Sequence, residues 1–176
     1  MICRLSSTDF DSILSVVNDA AEAYKGVIPE DRWKEPYMPA EELRREIESG
    51  VEFYGWTENN DLVAVMGIQP VNDVTLIRHA YVATSRQRRG IGKKLLNHLE
   101  DLTQTSQILV GTWEAAHWAI SFYEKNGFRL VPKEEKNMLL KNTGTSLNDK
   151  SKLQSCSNSK SKNNCLSTSQ HALFYI

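Results

Sequence analysis

The chain has 176 residues, 40% of them hydrophobic and 9% aromatic, which is the size of one globular domain with a sizeable core and too little for several. Arg4, Asp9 and Asp11 interrupt the opening stretch, and no later run approaches the roughly 20 apolar residues of a membrane helix, so a soluble, cytoplasmic chain with no membrane partner is expected. The 21 Lys+Arg and 22 Asp+Glu balance to −1, which gives no global pull towards nucleic acid or anionic lipid, and the scattered Cys3, Cys156 and Cys165 form neither a disulfide framework nor a metal site.

In chain order, Ile2 to Leu5 reads as a short strand. From Thr8, a candidate N-cap, Phe10, Ile13, Leu14, Val17, Ala20, Ala21 and Tyr24 recur at helical spacing until Gly26 stops them. A loop over Val27 to Met38 carries Pro29, Trp33, Pro36 and Tyr37, and a second helix is expected from about Pro39 to Ser49. Val51 to Thr57 and Leu62 to Gln69 are strand-like, joined by the hairpin-turn chemistry of Glu58-Asn59-Asn60-Asp61, and Val74 to Ala83 completes an antiparallel meander. After a basic, glycine-containing loop, Ile91, Leu95, Leu96, Leu99 and Leu102 mark a helix. A strand at Ile108 to Thr112, a helix through Ala115, Ala116, Ala119, Ile120 and Tyr123 ending at Asn126-Gly127, a strand at Phe128 to Val131 and a short helix at Lys133 to Lys141 follow.

The resulting order β-α-α-β-β-β-α-β-α-β predicts an α/β (α+β) fold, a three-layer mixed sheet flanked by helices. Residues 142–176 differ in kind. They hold eight of the sixteen serines and no Glu, Trp or Arg, and read as a low-complexity, disordered tail after a domain spanning 1–141. Without that tail the domain has 17 basic and 21 acidic residues, against which its one basic cluster stands out.

That cluster is Arg86-Gln87-Arg88-Arg89-Gly90-Ile91-Gly92-Lys93-Lys94, between a strand and a helix N-terminus. Unpaired backbone N–H groups and the helix dipole favour an anion there, and two glycines allow close approach. The expected ligand is a phosphate ester. The cluster is not a nucleoside-triphosphate loop, because Gln87 and Lys94 stand where that motif needs Gly and Ser/Thr; nor is it a dinucleotide fingerprint, because Leu95 replaces its third glycine. A nucleic-acid patch would leave the glycines without a purpose, and no nucleic-acid partner is expected.

Gln87-Arg88-Arg89-Gly90-Ile91-Gly92 resembles the signature of the GCN5-related N-acetyltransferase (GNAT) superfamily, Gln/Arg-x-x-Gly-x-Gly/Ala. Ala119 to Phe128 is similar to the family's second motif, and the resemblance covers residues 1 to about 141. It implies acetyl-CoA as cosubstrate and no metal. The amides of Arg88, Arg89, Gly90, Ile91 and Gly92 would hold its pyrophosphate, with Gln87 and Lys93 beside them, and the strand Ala80-Tyr81-Val82 would pair with the pantetheine arm. An N–H near Val82 would serve the oxyanion and Tyr123 would be the general acid; as a residue of an apolar helical face, Tyr123 could instead be core. The implied reaction is acetyl transfer to a primary amine, a small molecule before a protein lysine or N-terminus.

For the base, alternation places His79 and Tyr81 on one strand face and Arg78, Ala80 and Val82 on the other. His79 has the ordinary chemistry for the work, and reads equally as a structural histidine; Asp73 and Glu52 are carboxylate alternatives. Ala116 stands where the family often has a cofactor-contacting Asn, with His117 next to it. Glu30, Asp31, Glu35, Trp33 and Tyr37 are candidates for the acceptor side, and a homodimer is entertained. The rival readings are a non-catalytic CoA-binding module and an inactive, truncated copy. The second rests on the tail: shifted by one base, Thr143 to Ser157 can read as a string beginning Tyr-Trp and ending Thr-Ser-Val-Val-Leu, similar to the family's closing strand, so the tail is read as a frameshift product.

Overall fold

The computed structural model describes residues 1–132 and 171–175, and it divides into two units, Met1–Val110 and Gly111–Ile176. The first holds β1 (Ile2–Arg4), α1 (Phe10–Ala21), α2 (Ala40–Glu48), β2 (Glu52–Glu58), β3 (Asp61–Val71), β4 (Val74–Val82), α3 (Ile91–Leu102) and the start of β5 (Gln107–Trp113). Its five strands lie in the order β1-β2-β3-β4-β5. All neighbours are antiparallel except β4 and β5, which run parallel from Val74↔Gln107 to Ile77↔Val110. This is the mixed sheet expected from the element order.

Side-chain alternation along β2 shows what covers each face. Phe53 joins Ile13, Val16, Val17, Leu43, Val51 and Val65 in a core under α1 and α2. Its neighbour Tyr54 meets His98 of α3 at 5.5 Å between rings, and the Lys94 ammonium lies 4.9 Å over the Trp56 ring. Helices thus cover both faces. On the α3 side Leu95, Leu96 and Leu99 are fully buried, the stripe that their spacing predicted.

Local chemistry sets the boundaries. The first cap is Ser6 rather than Thr8: the Ser6 hydroxyl accepts from the Thr8 N–H at 3.3 Å and the Asp9 carboxylate accepts from the Ser6 N–H at 2.8 Å. This capping box starts a 3₁₀ turn, Ser7–Asp9, that runs into α1. The β2–β3 hairpin turns on Asn59 and Asn60, with φ of 51° and 69°, a conformation asparagine tolerates better than other side chains.

The second unit contains the rest of β5, α4 (His117–Lys125), β6 (Arg129–Leu130) and β7 (His171–Tyr175). β7 pairs antiparallel with β6, Arg129↔Tyr175 and Leu130↔Phe174. Five residues assigned by composition to a disordered tail therefore form a strand. Composition averages over a segment, and the apolar residues of that segment are gathered at its end. The short helix expected at Lys133 to Lys141, the boundary at Lys141 and the frame-shift string at Thr143 to Ser157 lie outside the described residues.

Candidate active site

The basic loop has the geometry of an anion cradle. Arg88 and Gly90 both take left-handed backbone, φ 61° and 76°. Gly90 is the N-cap of α3 and carries no side chain to satisfy the helix. The first intrahelical bond is Lys94 N–H to the Gly90 carbonyl, 3.1 Å, so the amides of Ile91, Gly92 and Lys93 precede the helical ladder. A Cβ added at Gly90 would meet no protein atom within 4 Å, so this backbone faces open space.

The cations around it divide into two groups. Arg86 is committed to Glu58 at the end of β2, Nε to Oε2 3.1 Å, and the same carboxylate accepts from the Trp56 indole at 3.3 Å. Lys94 lies over that indole. Arg88, Arg89 and Lys93 are exposed and so available to an anionic ligand. The sequence grouped all five together; Glu58, distant in sequence, separates them.

Gln87 does not point away from the strand: its Nε2 donates to the Val82 carbonyl at 3.1 Å, tying the loop to the end of β4. Thr84 N–H donates to the Asp19 carboxylate of α1 at 2.7 Å, which anchors the start of the loop to α1. β4 is paired with β3 as far as Val82↔Ala64. Among the described residues, β4 pairs with β5 only from Val74 to Ile77, so its pairing with β5 ends before Val82.

His79 occupies a β-bulge. Arg78 pairs with Gly67 and Tyr81 with Val65, so His79 and Ala80 together oppose Met66 alone, and His79 has φ 51°. The extra residue breaks the expected alternation, which had set Arg78 and His79 on opposite faces. Both instead reach Glu46 of α2. Its two carboxylate oxygens lie 2.8 and 2.7 Å from Arg78 Nη2. His79 Nε2, itself buried, is 3.2 Å from Glu46 Oε2, an ion-pair distance without the alignment of a hydrogen bond. The imidazole also stacks on Phe53, 5.7 Å between ring centres. Glu46 was not singled out in the sequence, where Arg44-Arg45-Glu46 reads as a solvated helix face.

The loop between α1 and α2 is packed by aromatic rings. Tyr37 stacks on Tyr24 at 5.9 Å and meets Trp33 at 5.6 Å, and Tyr81 of β4 lies 6.5 Å from both tyrosines. Asn18 fastens this loop to α1, accepting from the Met38 N–H at 2.8 Å and donating to its carbonyl at 3.0 Å. Of the acids, Glu35 pairs with Lys25 at 3.0 Å and raises that amine's pKa through the hydrogen bond and its charge. Asp31 pairs with Arg32 at 3.1 Å, while Glu30 is exposed. Trp33 and Tyr37 therefore hold the loop's shape, and Tyr37 meets Tyr81 of β4 edge-on.

In the second unit, Tyr123 of α4 is 5% exposed. Its ring meets Phe122, Phe128 and Phe174 at 5.2, 5.6 and 6.0 Å. Ala116 is the buried N-cap of α4, its carbonyl accepting from the Ala119 and Ile120 amides. His117 is exposed at the start of the helix. Asp73 and Glu52, the other candidate bases, are exposed, and Glu52 pairs with Arg4 at 3.0 Å.

Residues 18–140 match the family described as an acetyltransferase (GNAT) domain. The chain belongs to the GNAT acetyltransferases. Solved structures share the fold of this GNAT protein. The PaiA N-acetyltransferase of Thermoplasma acidophilum, in complex with coenzyme A, is 22% identical with a TM-score of 0.64 over 74% of this chain and 90% of its own. A GNAT-family acetyltransferase of Staphylococcus aureus Mu50 is 16% identical, TM-score 0.67, over 99% and 96%. One from Elizabethkingia anophelis with acetyl-CoA bound is 21% identical, TM-score 0.55, over 75% and 77%. Among the described residues of this GNAT acetyltransferase, no group of three or more His, Cys, Asp and Glu could hold a metal ion, and no helix is long and apolar enough to cross a membrane.

Proposed function

We propose that the protein moves the acetyl group of acetyl-CoA to a primary amine, a small molecule in preference to a protein. The observation that carries this reading is the left-handed Arg88–Gly90 loop at the N-terminus of α3, which follows directly on the end of β4. The amides of Arg88 to Gly92 receive the pyrophosphate, with Arg88, Arg89 and Lys93 around it; charge-assisted bonds of this kind contribute about 1.5–3 kcal/mol each. The pantetheine arm lies along the Ala80-Tyr81-Val82 stretch of β4. Gln87 contributes by holding the loop against Val82.

In the chemical step the neutral amine attacks the thioester carbonyl. An N–H near Val82 stabilises the oxyanion, the C–S bond breaks, and Tyr123 gives its proton to the departing thiolate. A phenol titrating near 10 can serve a thiolate whose ordinary value is about 8.5 only when held against it. The incoming ammonium first gives one proton to His79 through Nδ1, directly or by a water, since Nε2 faces Glu46, and the second proton, shed by the nitrogen as the amide forms, returns to the Tyr123 phenolate. The ring-packed loop held by Asn18 supports a preformed wall for a small acceptor.

Thiol release from acetyl-CoA over a panel of small amines and lysine or N-terminal peptides tests the reading. Turnover on small amines, falling roughly 10²–10⁴-fold in Tyr123→Phe at unchanged acetyl-CoA affinity, is expected. Acetyl-CoA binding with no turnover on any amine would instead establish a binding module, and turnover on peptides alone would reverse the preference.

A further inference from the structure

We propose that Phe174, in the last strand of the chain, is a positioning residue that fixes the Tyr123 ring and so aims its hydroxyl; the inference rests on Tyr123 being the acid. Among the described residues, three phenyl rings meet Tyr123. Phe122 and Phe128 belong to the same helix and turn, and the Phe128 N–H bonds the Tyr123 carbonyl at 3.1 Å. Both, as parts of one helix–turn segment, move with Tyr123. Phe174 reaches the ring from a separate strand, at 6.0 Å and 35°.

Phe174 is built for this contact. It is 0% exposed, and its position is set by the β6–β7 register, Leu130↔Phe174. The contact lies between a strand that the sequence assigned to a disordered tail and a residue that its motif assigned to catalysis. A general acid must be held closely, because a displacement of about 1 Å costs on the order of 10²-fold in rate. Removing Phe174 opens space beside the ring, and the hydroxyl then samples several positions while its acidity is intact.

The test is a double-mutant cycle in the full chain, reading kcat and acetyl-CoA Kd for Phe174→Ala, Tyr123→Phe and both together. Phe174→Ala should lower kcat by roughly 10–100-fold and change the Kd by less than about twofold. Added to Tyr123→Phe it should lower kcat no further, because no hydroxyl remains to be aimed. Phe174→Leu, which refills most of the space, should restore most of the rate, and it carries the same comparison should the alanine variant not fold. Losses that multiply, or a Kd that worsens in step with kcat, would show that Phe174 is only structural and overturn the inference. A Tyr123→Phe enzyme as fast as the parent would remove the acid itself, and the inference with it. A slow Tyr123→Phe beside a fast Phe174→Ala would sink the inference alone.

Discussion

Gly90→Val separates the loop's backbone conformation from its ligand. At φ 76°, with no protein atom within 4 Å of an added Cβ, the new side chain clashes with nothing, and the fold experiences only the left-handed strain, about 1–2 kcal/mol. For a chain of this size that lowers Tm by roughly 2–8 °C. The side chain nevertheless stands among the amides assigned to the pyrophosphate. Losing two of those charge-assisted bonds, at about 1.5–3 kcal/mol each, weakens acetyl-CoA binding by roughly 10²–10⁴-fold.

Gly26 supplies a matched control, with φ 73° and the same open surroundings. Gly26→Val should lose the same stability and keep the cofactor's affinity. Isothermal titration with acetyl-CoA, alongside thermal unfolding of both variants, makes the comparison. Equal affinities for the two valine variants would refute the assignment of the loop, because strain alone would then account for everything seen at Gly90.

Two other side chains give separate expectations. Glu46→Gln leaves Arg78 and His79 facing a neutral amide; the side chains of Glu46 and Arg78 are only 15% and 24% exposed, so a stability loss of about 1–3 kcal/mol is expected in urea unfolding. Glu100 on α3 has its pKa raised, first by burial and then by Asp101, and among the described residues its buried Oε1 has no hydrogen-bond partner. Its raised folded pKa makes the parent lose stability as pH climbs from the ordinary glutamate value, about 4.3, through the folded one. Glu100→Gln should therefore raise the urea midpoint at pH 7, with the advantage shrinking as pH falls below that range; a pH-independent difference would contradict the charge argument.

The meander and the loop between β4 and α3 were legible because their signals are local: alternating residues, Asn59-Asn60 in a hairpin, and Gly90-Ile91-Gly92 before a leucine stripe. What the sequence hid depends on distant partners. The bulge sits at a histidine, not at the glycine or asparagine that would mark a left-handed residue, and it is imposed by the register on Gly67 and Val65. Glu46 and Asn18 lie on helix stretches that read as polar surface until Arg78 and Met38 arrive beside them. β7 was missed because five strand residues end a long stretch rich in serine and lysine.

Arg88 holds a left-handed conformation with a large side chain attached, at a backbone cost of about 1–2 kcal/mol. A library sorted only for heat resistance is therefore driven towards Gly or Asn at position 88. The same library sorted for turnover at scarce acetyl-CoA should retain Arg if, as proposed, a cation there meets the pyrophosphate. The two populations part at this codon, and sequencing them reads the competing demands of folding and function from one position.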